Sequence, residues 1–136
     1  MEETARYAEL APSAAEFEVI ADAAYRAIPA RLRGFVDDVV IRVAEFPDRE
    51  TLDELGIQSE YDLLGLYRGL DLARKSVLDT PVDVDMILLY RQPILAYWCE
   101  SEDSLGDLVR NVLIHEIGHH FGFSDADMAK LEAPQD

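Results

Sequence analysis

The three histidines of this 136-residue chain all lie in one short stretch near its C-terminus. The stretch reads HEIGHH and runs from His115 to His120. Since His115 and His119 are four residues apart, a helix would project their rings from one face, one turn apart. That spacing lets two imidazoles reach a single metal ion. Glu116 points to the side, where its carboxylate can reach a metal-bound water without being a ligand.

A third metal ligand must come from outside the histidine pair, because a catalytic zinc usually has three protein ligands and one open position. Gly122 follows His119 by three residues, and glycine can end a helix with a positive φ. A turn there can bring Asp125 back over the metal. The whole pattern extends the His-Glu-x-x-His arrangement of zinc peptidases. It predicts Zn²⁺ bound by His115, His119 and Asp125, with Glu116 as the general base.

Three residues close to the motif have structural interpretations. His120 lies about 100° round the helix from His119, which favours a packing or supporting role over metal ligation. Gly118 predicts that a strand or loop approaches the helix closely. Met128 comes too soon after Asp125 to form a turn beneath the metal, so core packing is the favoured interpretation.

The elements that must position these residues are a mixture of helices and strands. Ser13 and Glu16 form the pattern of a helix N-terminus, and Pro29 follows the predicted helix end. Because the mixture has no βαβαβ rhythm, the predicted fold class is α+β. The other predicted elements are a strand at 37–46, a helical turn at 51–57, an irregular segment or short strand at 61–69, a strand at 83–94, a helix from about 102–104 to 121 capped by Gly122, and a short helix at 125–133.

The strand predicted at 83–94 bears on how a substrate would bind. An edge strand can bind an extended peptide by β-augmentation, and VDMILLYR within this strand is the best candidate for that role. A central position is the alternative, since the apolar run from Met86 to Tyr90 suits burial on both faces. Pro93 favours a strand end near a sheet edge. Both positions stay open.

A donor for the oxyanion of a transition state is not evident after Asp125. The remaining ADMAKLEAPQD contains no tyrosine, histidine or arginine. The donor would therefore come from upstream, although a structural role is favoured for each upstream residue of suitable type. These residues are Tyr61, Tyr67, Tyr90, Arg91 and Tyr97.

Composition excludes several classes of function. The formal net charge of −16 repels nucleic acid, whose binding normally needs a basic patch. Cys99 is the single cysteine, so no intrachain disulfide can form. No apolar stretch is long enough to span a bilayer, and the N-terminus lacks the pattern of a signal peptide. We therefore predict a cytoplasmic protein with a flexible acidic leader at 1–12 and a single domain at 13–136.

The chain resembles the minimal zincin-like metallopeptidases, a family of small, acidic, intracellular bacterial proteins. The resemblance is carried by DMILLYRQPI and LVRNVLIHEIGHHFGFSD and is strong over 85–125. It implies a minimal zincin-like fold, in which a small twisted mixed sheet packs on an active-site helix with a cleft beneath an edge strand. It also implies His115, His119 and Asp125 as zinc ligands, Glu116 as the general base, and a peptide or protein as the substrate.

Two other functions are compatible with the same residues. A metal-binding or protein-interaction module would keep the zincin site with little or no turnover. A non-haem iron enzyme also uses two histidines and a carboxylate. Glu116 argues against the iron enzyme, because that chemistry needs no base at this position.

Overall fold

The computed structural model describes residues 11–36, 39–68 and 85–132. Its architecture is α+β, as predicted, with a small mixed sheet packed against helices. The predicted leader, residues 1–12, lies largely outside the described residues. The helices are α1 (Ala14–Ala27), α2 (Ala30–Arg33), α3 (Arg49–Leu55), α4 (Arg91–Glu100), α5 (Leu105–His120) and α6 (Asp125–Glu132), with a 3₁₀ turn at Glu60–Asp62, and the strands are β1 (Val40–Ala44), β2 (Gly65–Arg68) and β3 (Met86–Tyr90).

Helix α1 begins at the capping box predicted from the sequence. The Ser13 hydroxyl accepts a hydrogen bond from the Glu16 backbone N–H at 3.2 Å, and the Glu16 carboxylate accepts one from the Ser13 N–H at 3.0 Å. These bonds satisfy amides that have no partner inside the helix. The buried face of α1 consists of Phe17, Ala21 and Ala24, and the helix packs against α5.

The sheet has the strand order β1-β3-β2, so β3 is its central strand. Strand β3 runs parallel to β1 and antiparallel to β2. Ile87 and Leu89 of β3 are completely buried on one face of the sheet, while Met86 and Leu88 on the other face are partly buried. The edge position considered for this segment was therefore wrong, and the alternative central position is confirmed.

Helix α4 corrects the predicted extent of this strand. The strand ends at Tyr90, and the chain passes directly into α4. Pro93 was taken to mark a strand end, but it occupies the third position of the helix. The first-turn amides of a helix have no intrahelical acceptor, so proline costs little there. Pro93, Ile94, Leu95 and Trp98 are the buried residues of α4.

Helix α5 is the central helix of the core and the element that carries the histidines. The Ser104 hydroxyl accepts from the Asp107 N–H at 3.1 Å and caps its start. Leu113, Ile114 and Ile117 are completely buried. Each such side chain stabilises the folded state by about 1.5–3 kcal/mol relative to an exposed one. Their burial between α1 and the sheet fixes the rotation of α5 about its axis.

The C-terminus of α5 is a Schellman turn at the predicted glycine. Gly122 has φ 77°, the Phe123 N–H donates to the Gly118 carbonyl at 2.8 Å, and the Gly122 N–H donates to the His119 carbonyl at 3.3 Å. The chain then reverses into α6, which packs against α5.

Gly118 is approached closely, but by a side chain of α6 rather than by a strand or loop. A Cβ atom at Gly118 would lie 2.5 Å from the Met128 sulfur. Met128 is 1% exposed, which confirms its predicted role in core packing. Within the described ranges, no helix has the length and apolar character needed to cross a membrane.

Candidate functional site

His115 and His119 lie side by side on the exposed face of α5, as their spacing predicts. Their ring centroids are 5.8 Å apart and the rings are inclined at 68°. Two imidazoles that bind one tetrahedral zinc place their centroids about 5 Å apart, given Zn–N bonds of about 2.0–2.1 Å. The pair therefore fits a shared ion after a small side-chain adjustment.

The predicted third ligand, Asp125, is the first residue of α6. Its side chain lies outside the part of the chain that the structure describes. Among the side chains that are described, no three histidine, cysteine, aspartate or glutamate residues gather around one point. Ligation by Asp125 thus stays a prediction, while the Gly122 turn that it requires is present.

Glu116 lies on a second row of α5 residues, beside the histidine row and beneath β2. The row consists of Val112, Glu116 and His120, each four residues from the next. Glu116 accepts a hydrogen bond from the Tyr67 backbone N–H at 3.2 Å. At Gly65 an added Cβ would lie 2.8 Å from Val112 Cγ1 and 3.6 Å from Glu116 Cγ, so only glycine lets the strand lie this close to the helix.

Burial raises the pKa of the Glu116 carboxyl above its ordinary value, and the desolvation outweighs three opposing effects. The largest opposing effect is the hydrogen bond from the Tyr67 N–H, followed by the charges of His119 and His115. A carboxylate with a raised pKa is a stronger base than an exposed one. Burial therefore suits Glu116 to accepting a proton.

Two contacts hold the Tyr67 side chain, in addition to the backbone bond to Glu116. Its ring stacks on that of His120 with a centroid distance of 3.9 Å and an interplanar angle of 13°. Its hydroxyl donates to Asp85 Oδ2 at 2.9 Å. Burial, together with the Asp85 carboxylate, raises the pKa of Tyr67, so its phenol is neutral at physiological pH. The packing role predicted for His120 agrees with this stack.

A cleft of about 420 Å³ opens beside the two histidines and Glu116. Asn111 also lines it, four residues before His115, and thus extends the histidine row by one turn. Sequence reasoning missed Asn111, although its i, i+4 relation to His115 was a usable signal. The described residues lining the cleft are Asp62, Leu63, Leu64, Gly65, Tyr97, Asp103, Leu108, Asn111, Val112, His115, Glu116 and His119.

Of the five residues considered as oxyanion donors, only Tyr97 lines this cleft, and it is 54% exposed. Tyr61 packs edge-on against Phe46, and the Tyr67 hydroxyl is bonded to Asp85. The other two residues have structural positions. Tyr90 is buried in the core, and Arg91 donates to the Pro12 carbonyl and to Glu45.

Comparison with protein families gives one match. A family model described as zincin-like metallopeptidase matches residues 36–134, which span both the sheet and the histidine helix. The comparison with curated proteins found no match.

Proposed function

The chain belongs to the zincin-like metallopeptidase family, and on this premise we propose that it hydrolyses peptide bonds in a zinc-dependent reaction. His115, His119 and Asp125 would hold the ion, and Glu116 would act as the general base. The proposed substrate is an extended segment of a peptide or protein that enters the cleft beside these residues.

One observation carries the proposal more than any other. Two imidazoles at metal-binding spacing and a half-buried carboxylate border the same cleft. A structural zinc site is normally closed by four protein ligands, whereas a catalytic site keeps one position open. The exposed position of His115 and His119 on the cleft wall is typical of the second kind.

The chain's own groups have distinct tasks in this proposal. When bound, a zinc ion supplies a Lewis acid that activates water near neutral pH and polarises the scissile carbonyl. Glu116 accepts the proton of the attacking water at a carboxylate oxygen and later delivers it to the leaving amine. Among the described residues that line the cleft, Asn111 and Tyr97 have the neutral side-chain hydrogen-bond donors.

The test compares wild type with Glu116→Gln, each assayed for zinc content and for cleavage of a broad peptide library. We expect the variant to bind zinc like wild type but to lose about 10²–10⁴-fold in kcat/KM. Glu18→Gln is the matched control, since Glu18 is exposed and lies outside the cleft. Equal cleavage by wild type and Glu116→Gln would exclude the proposed role of the base.

A second candidate is a metal-binding or interaction module with little or no turnover. It is favoured by the engagement of Tyr61, Tyr67, Tyr90 and Arg91 in contacts away from the cleft. Full zinc occupancy without cleavage of any library peptide would select this module. Metal analysis of protein purified without added metal separates both zinc proteins from an iron enzyme.

A further inference from the structure

Among the described residues β2 pairs with β3 alone, and its other edge lies against α5. The Tyr90 N–H donates to the Leu64 carbonyl at 3.0 Å, so Leu64 and Tyr90 form a hydrogen-bonded pair just before β2 begins. Bonding alternates along an antiparallel pair. Tyr67, three residues on and opposite Ile87, therefore directs its N–H away from β3. At an exposed sheet edge such a donor would have only water as a partner.

Glu116 supplies the partner for this edge donor. Its carboxylate accepts from Tyr67 at 3.2 Å, across 49 residues of sequence. The bond leaves the two carboxylate oxygens inequivalent, because one is occupied by the edge strand and the other stays available for proton transfer. The orientation of the Glu116 carboxylate thus depends on where β2 places one backbone amide.

Tyr67 is fixed in that place by both ends of its side chain. The stack on His120 ties its ring to the last turn of α5, and the bond to Asp85 ties its hydroxyl to the residue that precedes β3. Phe121 also meets the ring edge-on, at a centroid distance of 6.0 Å. Because the helix and the neighbouring strand both hold this tyrosine, a shift of its backbone would disturb these contacts.

We propose that Tyr67 is a positioning residue for Glu116, with His120 and Asp85 as the clamp that holds it. The inference rests on the proposed function, in which Glu116 is the base. It gives His120 a task distinct from that of its neighbour His119. His120 acts through a flat ring under Tyr67, so an aromatic residue without nitrogen should replace it.

Amide hydrogen exchange in zinc-free protein tests the clamp without any substrate. In wild type the Tyr67 amide should be protected. Its exchange should accelerate about tenfold or more in Glu116→Ala, which removes the acceptor, and in His120→Ala, which removes the stack. His120→Phe should restore the protection, since it keeps a ring. Phe35→Ala is the matched control, because Phe35 packs on Phe121 and Phe123 in the same aromatic group.

Kinetics of the zinc-loaded protein test the consequence. A displacement of the base by a fraction of an ångström should reduce kcat about 10–100-fold in His120→Ala, with KM and zinc affinity unchanged within about twofold. His120→Phe and Phe35→Ala should retain the wild-type kcat. Melting temperatures of all variants establish that each is folded.

The outcomes separate the positioning role from the hydrolase proposal. Unchanged Tyr67 exchange in His120→Ala overturns the clamp. Altered exchange with an unchanged kcat overturns the positioning role and leaves the hydrolase standing. Altered exchange in a protein that cleaves no peptide supports the clamp and overturns the hydrolase. A simple structural role would instead lower zinc affinity or stability together with kcat.

Discussion

Replacing Gly65 by alanine should separate β2 from α5 and thereby weaken the fold. The added methyl would lie 2.8 Å from Val112 Cγ1 and 3.2 Å from the Leu88 carbonyl oxygen. Optimal contacts between carbon atoms are about 3.5–4.0 Å, so the new contact is short by about 0.7–1.2 Å. Either the strand or the Val112 side chain must move.

The expected loss in the free energy of unfolding depends on how far Val112 and the strand can move. Val112 is 7% exposed, and a β-branched side chain in a helix has one strongly preferred rotamer. Overpacking of this kind costs about 1–3 kcal/mol. Replacing glycine also stabilises the folded state by about 0.4–1 kcal/mol, because alanine lowers the conformational entropy of the unfolded chain. The net loss in the free energy of unfolding should therefore lie between about 0 and 2.6 kcal/mol, with a midpoint of about 1.3 kcal/mol.

Urea denaturation of the protein with a chelator present measures this loss free of any contribution from bound zinc. Gly106→Ala is the matched control, because a Cβ at Gly106 in α5 has no neighbour within 4 Å. That variant should gain up to about 1 kcal/mol from helix propensity alone. Val112→Ala should cost about 1–3 kcal/mol less in the Gly65→Ala background than in wild type.

Two results would refute the reasoning. One is a Gly65→Ala protein as stable as Gly106→Ala, which would mean that the helix and the strand are not in tight contact. The other is strict additivity of Gly65→Ala with Val112→Ala, which would place the strain somewhere else.

In zinc-free protein, Glu116→Gln should be more stable than wild type at neutral pH, and the difference should shrink on acidification. Burial raises the folded-state pKa of Glu116, so the wild-type free energy of unfolding is highest below the unfolded-state pKa and falls as pH rises through the folded-state pKa. Urea unfolding of both proteins at a series of pH values measures this trend. A stability difference that widens in acid would contradict it. Ser13→Ala should lower the free energy of unfolding by about 1 kcal/mol through loss of the α1 cap, and an unchanged urea midpoint would show that the cap is dispensable. The net charge of −16 should make cationic peptides associate faster than neutral ones, with an advantage that falls as salt is added; stopped-flow rates independent of salt would speak against this steering.

Local sequence signals predicted the helix ends that are formed by capping residues. Ser13 with Glu16 marked the start of α1, and Gly122 marked the end of the histidine helix because a positive φ is needed there. The pair His115 and His119 followed from helical spacing alone. In each case the determining contact lies within one or two turns of the chain.

The features that the sequence did not reveal depend on long-range neighbours. Helix α4 was hidden because Pro93 has the same appearance at a strand end as in the first turn of a helix. The central place of β3 depends on pairing with β1 and β2, which are distant along the chain. The contact of Glu116 with Tyr67 joins residues 49 positions apart, and no local sequence pattern predicts it.

The two rows on α5 differ by a single residue in phase, since Asn111, His115 and His119 form one row and their successors Val112, Glu116 and His120 form the row that contacts Gly65 and Tyr67 of β2. One residue corresponds to a rotation of about 100°. A one-residue insertion before Asn111 would therefore turn the imidazoles toward the strand, whereas a deletion would turn them toward the core. Either change would turn the carboxylate away from the strand. The rotation of α5 about its axis therefore orients the ligands and the base together. A design that adjusts the base alone must change β2, because Tyr67 of that strand bonds to Glu116.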